Sequence, residues 1–310
     1  MRRVSNFPDL ASLAPIEMKP NFLIVGAPKC GTTAMWKYLQ DHPDVFLSPR
    51  KDMHYFGSDL QFTKRQRFSQ TEYLHFFREA TEKAVGEASV WYLYSKNAAA
   101  EIHRFDPSMK IIIMLRDPVQ MMYAHYTQMR FNGLGDENLT TFEEALDAEE
   151  DRKQGRRIPK ENTLPQALFY REIGKLAEQI QRYQQFFPPE QILYLFQEDM
   201  KDKMAQMYRE TLSFLQVDPN HPMDFPRINR HKVVRFEWVR KSISIIPQSF
   251  KQKLPVSARK HLSKRIRKIN SKHAKRAPLQ PDLAQILRKE RAEDILFLSQ
   301  TTGRDLQHWK

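Results

Sequence analysis

The chain has 310 residues, of which 41% are hydrophobic, and this is enough to bury the core of one large α/β domain. No run of about 18 apolar residues occurs, so no transmembrane helix is expected, and the N-terminus lacks the apolar stretch of a signal peptide. The single cysteine, Cys30, excludes an internal disulfide and a cysteine zinc site. We therefore expect a cytoplasmic protein, with peripheral attachment to a membrane as an option.

The net charge of +13 is concentrated in one segment. Residues 227–276 contain 17 Lys and Arg against one acid, Glu237, which leaves 33 basic and 36 acidic residues elsewhere. Such a block either binds an anionic surface or an acidic partner, or it is simply a solvated surface. Its helix-like part, "SARKHLSKRIRKINSKH", is cationic nearly all round, which favours surface electrostatics over membrane insertion. No specific nucleic-acid recognition is expected.

The first 220 residues alternate between the strand and helix periods. The elements predicted in chain order are strand "NFLIVGA", helix "TTAMWKYLQDHP", strand "DVFLS", helix "TEYLHFFREA" capped by Ser69 or Thr71, strand "KAVGEAS", helix "NAAAEIHRF", strand "KIIIMLRDP", helix "PVQMMYAHYTQMRF", an exposed charged helix "TFEEALDAEEDRKQG", one long helix "ALFYREIGKLAEQIQRYQQFF", strand "QILYLFQED" and helix "MAQMYRETLSFLQV". This alternation predicts an α/β fold, P-loop-like and three-layered, with a central parallel sheet flanked by helices.

The character of the sequence changes near residue 220. Prolines and basic residues then dominate, and a helical pattern returns only in the last 30 residues. We therefore predict a lead-in over residues 1–20, a core over 21–220, and a basic, mainly helical extension over 221–310 that packs on the same domain.

The stretch "FLIVGAPKCGTT", residues 22–33, resembles a phosphate-binding loop. Gly26 and Gly31 have the glycine spacing of a nucleoside-triphosphate loop, but Thr32 follows the second glycine where that loop has a lysine. The lysine lies earlier, at Lys29, which moves its charge toward the far side of a bound phosphate. Backbone amides at the start of the following helix can bind an anion. The alternative is a tight strand-to-helix turn without a ligand.

The end of the strand "IIIMLRDP" gives a second signal. Arg116 is placed to bind another phosphate, although a salt bridge to a helix acid is the alternative. Asp117 precedes Pro118 and can cap the next helix, which leaves no clear aspartate for Mg²⁺. A loop for one phosphate and an arginine for another indicate a nucleotide phosphorylated at two places.

Four stretches together resemble one family. They are "GAPKCGTTAMWKYLQDHP", "PRKDMHYFGSD", "GEASVWYL" and "DPSMKIIIMLRDPVQMMYAHYTQ". In this order they look like the sulfotransferases that use 3′-phosphoadenosine-5′-phosphosulfate (PAPS), in the branch that includes the heparan-sulfate enzymes and many bacterial relatives. The resemblance covers residues 21–132 well and extends loosely to about residue 220.

The resemblance implies roles for individual residues. The 5′-phosphosulfate loop of the family corresponds to Lys29, Cys30, Gly31, Thr32 and Thr33. Its 3′-phosphate arginine corresponds to Arg116, and a serine that also binds this phosphate is replaced by Ala124. The catalytic glutamate of the heparan-sulfate branch is replaced by Asp52 in "KDMHYF". Relatives bring a basic loop over the donor, which implies a contribution from Arg235.

The implied donor is PAPS, which leaves as 3′,5′-adenosine bisphosphate, and no metal is required. Sulfuryl transfer needs in-line positioning and cations where charge builds up. We expect Lys29 to stabilise that charge, Asp52 to accept the acceptor's proton, and His54 to orient it or to act as the base. Glu87 is a further acidic candidate for catalysis. The alternatives are a surface acid for Asp52, a packed core residue for His54 and a structural hydrogen-bond acceptor for Glu87.

The acceptor is not specified by the sequence. A hydroxyl on a small molecule, a glycan, a lipid or a carrier-bound chain fits equally well. Two other functions stay open: a nucleotide-dependent kinase of P-loop type, and a non-catalytic protein that binds polyanions or membranes through residues 227–276.

Overall fold

The computed structural model describes residues 18–63, 66–133, 135–226, 228, 232–234, 269–273 and 276–309. The predicted cofactor residue Arg235 and most of the basic segment 227–276 lie outside the described residues. The predicted domain boundaries at residues 20 and 220 stay predictions.

A five-stranded parallel sheet forms the centre of the molecule. Its strands are β1 Phe22–Gly26, β2 Val45–Leu47, β3 Ala84–Ala88, β4 Lys110–Leu115 and β5 Ile192–Phe196, in the order β2-β3-β1-β4-β5. All four pairings are parallel, and Phe22 aligns with Gly86 on one side and with Lys110 on the other. Strands β1 and β3 are buried along their whole length, as expected for apolar runs covered on both faces. The predicted α/β fold with a central parallel sheet is confirmed.

The order of the strands creates a crevice beside β1. The chain leaves β1 toward β2 and β3 on one side, and it then crosses to β4 and β5 on the other. The carboxyl end of β1 is therefore the point at which the direction of winding reverses, where ligands of open α/β sheets bind.

Helices flank the sheet and follow most of the predicted segments. They are α1 Thr32–Leu39, α2 Gln70–His75, α3 Ala98–Phe105, α4 Pro118–Asn132, α5 Phe142–Asp147, α6 Glu149–Lys153, α7 Tyr170–Ile173, α8 Leu176–Gln184, α9 Met204–Leu215, α10 Pro281–Glu290 and α11 Ala292–Thr302. Short 3-10 helices occupy Pro165–Leu168, Pro189–Gln191, Gln197–Met200 and Gln307–Trp309, and an antiparallel pair joins β6 Lys232–Val234 to β7 Ser271–His273. No helix in the described part of the chain has the length and apolar character needed to cross a membrane.

Two predicted helix starts carry the expected caps. The Ser69 hydroxyl accepts the backbone N–H of Glu72, whose carboxylate accepts the Ser69 N–H in return. The Asp117 carboxylate accepts the N–H groups of Val119 at 2.8 Å and Gln120 at 3.3 Å. These bonds satisfy amide groups that a helix start leaves without partners.

The predicted long helix over residues 167–187 is wrong, because Gly174 and Lys175 separate α7 from α8, and Lys175 has ψ 65°, outside the helical region. Met122 of α4 packs against this glycine so closely that an added Cβ would lie 2.6 Å from the Met122 sulfur. The close approach of α4 therefore leaves room only for glycine at this position.

The predicted exposed helix over residues 141–155 is also wrong. It divides into α5 and α6, and these helices bury Phe142 and Arg152. The Arg152 guanidinium forms a fully buried ion pair with Glu137, with nitrogen–oxygen distances of 2.8 and 2.9 Å. Tyr170 donates to the same carboxylate at 2.7 Å, so the charge of Arg152 is partnered inside the protein.

The C-terminal segment closes over the end of β5. Helix α11 packs on α8, and α10 packs on α4. The Arg304 guanidinium lies 4.3 Å from the centre of the Phe196 ring and forms ion pairs with Glu198 and Asp199. The Trp309 indole donates to Glu198 at 3.1 Å. These contacts fix the turn of residues 197–200.

Candidate active site

The glycine loop, residues 26–31, connects β1 to α1 at the crevice. Gly31 has φ 93° and lies directly before α1, where Met200 packs against it and leaves no room for a Cβ. Lys29 has φ 65°, so its backbone is also in the left-handed region. No side chain of the described residues caps α1, so the amide groups of its first turn, which includes Thr32 and Thr33, stay available to an anion.

Cys30 contributes backbone to this loop rather than a reactive group. Its side chain is fully buried, and the thiol donates to the Pro28 carbonyl at 3.5 Å. Burial raises the pKa of Cys30 to about 12, so the thiol stays protonated near neutral pH.

Three cationic side chains converge beside the glycine loop: Lys29, Arg116 and Arg276. Arg116 follows β4 and donates to the Lys29 carbonyl at 3.5 Å. Burial, followed by the charges of Arg276 and Arg116, lowers the pKa of Lys29 to about 8. Burial and the charge of Arg116 lower the pKa of Arg276 to about 10. Within the described residues no carboxylate pairs with any of the three, so this cluster favours an anionic ligand.

Helix α4 supplies the polar groups that hold two of these cations. The Lys29 ammonium donates to the Gln128 side-chain oxygen at 3.1 Å, and the Gln128 amide donates to Asn132 at 2.8 Å. Arg276 donates to the Thr127 hydroxyl at 3.0 Å. Ala124 is fully buried on the same helix, and its carbonyl accepts the Thr127 hydroxyl at 3.0 Å. The Thr127 hydroxyl thus lies one turn after Ala124, where it is bonded to the Ala124 carbonyl and to Arg276.

Asp52 lies on the other side of the crevice, in the loop of residues 50–56. Its backbone N–H donates to the Ala88 carbonyl at 2.8 Å, which attaches the 50–56 loop to the end of β3. Its carboxylate accepts Lys51 at 3.0 Å and the Val90 N–H at 3.3 Å. The side chain is 42% exposed, so a second molecule can reach the carboxylate.

His54 is buried beneath the same loop. Its ring stacks on Phe62 with 4.9 Å between ring centres, and the Tyr92 ring lies edge-on at 6.3 Å. Its backbone N–H donates to the Ser89 hydroxyl at 3.1 Å. This environment agrees with the alternative given for His54 above, a packed core residue.

Glu87 is fully buried at the end of β3. Its carboxylate accepts three hydroxyl groups, from Tyr92 at 2.6 Å, Ser89 at 2.7 Å and Tyr73 at 3.2 Å. Burial raises the pKa of Glu87 to about 7 despite these hydrogen bonds. The carboxylate is thus the centre of a hydroxyl network, here defined as Glu87, Tyr73, Ser89 and Tyr92.

Strand ends bring the cations and the acids to one edge of the sheet. The Ala27 N–H donates to the Met114 carbonyl, and the Ser89 N–H donates to the Ile24 carbonyl, so the ends of β1, β3 and β4 lie side by side. Among the described residues no group of three or more His, Cys, Asp or Glu could hold a metal ion.

Sequence reasoning missed Arg276, Thr127 and Gln128 as site residues. Arg276 stood out only as part of the basic block. Helical spacing gave a usable signal for the other two, because residues 124, 127 and 128 share one face of a helix that begins beside Arg116.

The chain is similar to proteins of one family over most of its length. Residues 19–289 match the family described as "Sulfotransferase domain". The solved structure of a sulfotransferase from Alicyclobacillus acidocaldarius superposes with a TM-score of 0.70 at 27% identity, and the alignment covers 94% of this chain and 99% of that one.

Curated relatives show the same similarity over a smaller share of their length. Carbohydrate sulfotransferase 15 of Rattus norvegicus is 28% identical over 64% of this chain and 44% of that protein. Bifunctional heparan sulfate N-deacetylase/N-sulfotransferase 3 of Homo sapiens is 28% identical over 65% of this chain and 23% of that protein. The chain thus spans less than half the length of these relatives. The family match extends over most of the sequence and confirms the resemblance seen in the sequence. The chain therefore belongs to the sulfotransferase domain family.

Proposed function

We propose that this protein transfers a sulfuryl group from PAPS to a hydroxyl group, with glycans as the first acceptors to test. The observation that carries the proposal is the cluster of Lys29, Arg116 and Arg276 beside the glycine loop, with the exposed carboxylate of Asp52 across the crevice at the end of β3. The cations suit a donor with two separate phosphate groups, and the carboxylate suits an alcohol that must lose a proton. The carbohydrate and heparan-sulfate names of the relatives support the choice of glycans.

The two ends of the donor are assigned to two parts of the cluster. The glycine loop and the first turn of α1 would hold the 5′-phosphosulfate, because backbone amides and Lys29 meet there. Arg116 and Arg276 would hold the 3′-phosphate, and the Thr127 hydroxyl would orient Arg276 by accepting its N–H. An anion at this position would also relieve the repulsion among the three cations.

The reaction follows from this placement. The acceptor oxygen bonds to sulfur while the bond between sulfur and the bridging oxygen breaks, and the acceptor's proton passes to Asp52. The electron pair of the broken bond leaves on 3′,5′-adenosine bisphosphate, where Lys29 stabilises the developing charge. The buried ring of His54 favours a role in supporting the 50–56 loop over proton transfer. The donor's own leaving group is reactive enough that no metal is required in this scheme.

Calorimetry with matched nucleotides tests the donor assignment. We expect 3′,5′-adenosine bisphosphate to bind at least about tenfold more tightly than ADP, and we expect Arg116→Gln and Arg276→Gln to remove that preference. Lys153→Gln is a matched control, because Lys153 is a surface lysine paired with Glu150 and Glu172. Equal binding of the two nucleotides by the unmodified protein would refute the assignment.

A transfer assay tests the reaction and the alternatives. Labelled PAPS is incubated with a panel of glycan, lipid and phenol acceptors, and the products are identified by mass spectrometry. Transfer of label without added Mg²⁺ supports the proposal. Phosphate transfer from ATP that depends on Mg²⁺ would support the kinase instead, and retention on heparin without any transfer would support the binding protein.

Recruitment and location stay proposals. The basic segment 227–276 suits an anionic acceptor, carrier or surface, and its deletion should reduce retention on heparin. A cytoplasmic, peripherally attached protein should appear in both the soluble and the salt-extracted membrane fractions of a cell lysate.

A further inference from the structure

The 50–56 loop has an unusual backbone that needs support. Asp52 and His54 have φ values of 58° and 50°. Residues other than glycine rarely adopt this left-handed backbone conformation. Such residues persist only where surrounding contacts hold the chain in place. The loop that carries the proposed base therefore depends on the contacts that hold it.

Hydroxyl groups of the network supply these contacts. The Ser89 hydroxyl accepts the His54 N–H at 3.1 Å, and the Tyr92 hydroxyl accepts the Tyr55 N–H at 2.8 Å and the Phe56 N–H at 3.4 Å. Three successive amides of the loop therefore bond to side chains that follow β3.

Each of these two hydroxyls in turn donates its own proton to Glu87. The Tyr92 hydroxyl donates at 2.6 Å to one carboxylate oxygen, and the Ser89 hydroxyl donates at 2.7 Å to the other. A hydroxyl rotates freely, so a fixed acceptor for its proton determines where its lone pairs point. The Glu87 carboxylate therefore orients the lone pairs of both hydroxyl groups, those of Ser89 and Tyr92, toward the loop amides.

We propose that Glu87 is a positioning residue, which acts through Ser89 and Tyr92 to hold the 50–56 loop and thereby to place Asp52 opposite the donor. The proposal rests on the proposed function only for the role of Asp52. It assigns no proton transfer to Glu87, whose carboxylate is fully buried among its three hydroxyl donors.

Tyr73 provides a matched control inside the same network. Its hydroxyl also donates to Glu87, at 3.2 Å, but no backbone amide of the 50–56 loop donates to it. Tyr73→Phe therefore removes one hydrogen bond to the carboxylate and leaves the loop contacts intact. Tyr92→Phe removes a hydroxyl of the same kind together with the support of two loop amides.

The first experiment measures transfer kinetics. We expect Tyr92→Phe and Ser89→Ala to lower kcat for the acceptor about 10- to 100-fold, with the affinity for 3′,5′-adenosine bisphosphate unchanged, and Tyr73→Phe to lower it less than about threefold. Glu87→Gln should retain more activity than Glu87→Leu, because an amide can still accept one hydroxyl. If Glu87 were itself the base, Tyr92→Phe would leave kcat nearly unchanged, and Glu87→Gln would lower kcat as much as Asp52→Asn does.

A double-mutant cycle distinguishes positioning from proton transfer. Asp52→Asn alone should lower kcat by about 10² to 10⁴. In that background Tyr92→Phe should lower kcat less than about threefold further, because the loop then has no base to place. If Asp52→Asn and Tyr92→Phe lowered kcat independently, so that their factors multiplied, the proposal would be overturned.

An activity-free measurement separates this proposal from the proposed function. Hydrogen exchange should show protected amides at His54 and Tyr55 in the unmodified protein and in Tyr73→Phe. Protection should be lost at Tyr55 in Tyr92→Phe and at both positions in Glu87→Leu. Protection of Tyr55 that survives in Tyr92→Phe would overturn the positioning role even in an active enzyme. Lost protection in a protein without sulfuryl transfer would support the loop contacts and refute the proposed function alone. Ser89→Ala serves the same test at His54 if Tyr92→Phe does not fold.

Discussion

Replacing Lys29 by methionine should abolish sulfuryl transfer and, at the same time, stabilise the nucleotide-free protein. The pKa of Lys29 is lowered from 10.5 to about 8, because the ammonium is largely buried and faces Arg276 and Arg116. This difference corresponds to about 3 kcal/mol of destabilisation wherever the ammonium is charged in both the folded and the unfolded states. Methionine keeps the apolar stem but loses the hydrogen bond to Gln128, which offsets about 1 kcal/mol. The variant should therefore be more stable by about 2 kcal/mol at pH 7.

The lowered pKa of Lys29 determines how the stability difference changes with pH. Below the folded-state pKa of about 8 the destabilisation is fully present; it declines as the pH rises toward 10.5 and vanishes above it. The advantage of Lys29→Met should thus fall from about 2 kcal/mol below pH 8 and reverse by about pH 10.5, where only the lost hydrogen bond of about 1 kcal/mol remains. Urea unfolding at a series of pH values measures this gap.

Adding 3′,5′-adenosine bisphosphate at pH 7 should make the unmodified protein more stable than Lys29→Met. The unmodified protein gains free energy from 3′,5′-adenosine bisphosphate according to its affinity, and the Lys29→Met variant gains less. Lys51→Met is the matched control, because Lys51 pairs with the Asp52 carboxylate at 3.0 Å and its removal should not stabilise the protein. A Lys29→Met protein that is no more stable at pH 7, or a gap that does not change with pH, would refute the reasoning.

Two further predictions concern the glycine loop and the buried acid. Gly31→Ala should destabilise the protein by about 1–3 kcal/mol and weaken nucleotide binding, because φ is 93° and Met200 occupies the space of a Cβ. Adding Met200→Ala should restore only the part of the stability that is lost through the clash. A Gly31→Ala protein of unchanged stability would contradict the structure. Because the folded-state pKa of Glu87 is raised from 4.5 to about 7, the protein should lose up to about 3 kcal/mol of stability as the pH rises across that range. Glu87→Gln should show a much flatter profile in urea unfolding, and an unchanged slope would exclude Glu87 as its source.

The sequence predicted the sheet because its central strands, β1, β3 and β4, are buried on both faces. Continuous apolar runs such as 110–115 are typical of central parallel strands, and the prediction does not depend on neighbouring elements. The interruption between α7 and α8 was not predicted, because the local apolar spacing continues through Gly174 and Lys175, and the contact of Gly174 with Met122 is formed only in the folded chain. The burial of Arg152 likewise depends on the carboxylate of Glu137, which only the folded chain brings close.

The candidate site was predictable where a local pattern defines it. The glycine loop and Arg116 are each contained in a short stretch at the end of a strand. Arg276 meets Thr127 from 149 positions away, and no local pattern singles it out within a basic block. Glu87 was recognised as an acid near the strand end, but its hydroxyl partners on α2 and after β3 became visible only in three dimensions.

The contact between Met200 and Gly31 has a consequence for the order in which the protein matures during synthesis. The turn that carries Met200 is fixed by Arg304 and Trp309, near the C-terminal end of the described residues, whereas Gly31 leaves the ribosome early. A nascent chain therefore exposes its glycine loop long before the segment that braces it has been translated. The packing of Met200 on Gly31 is therefore completed late, once residues 304 and 309 have been synthesised.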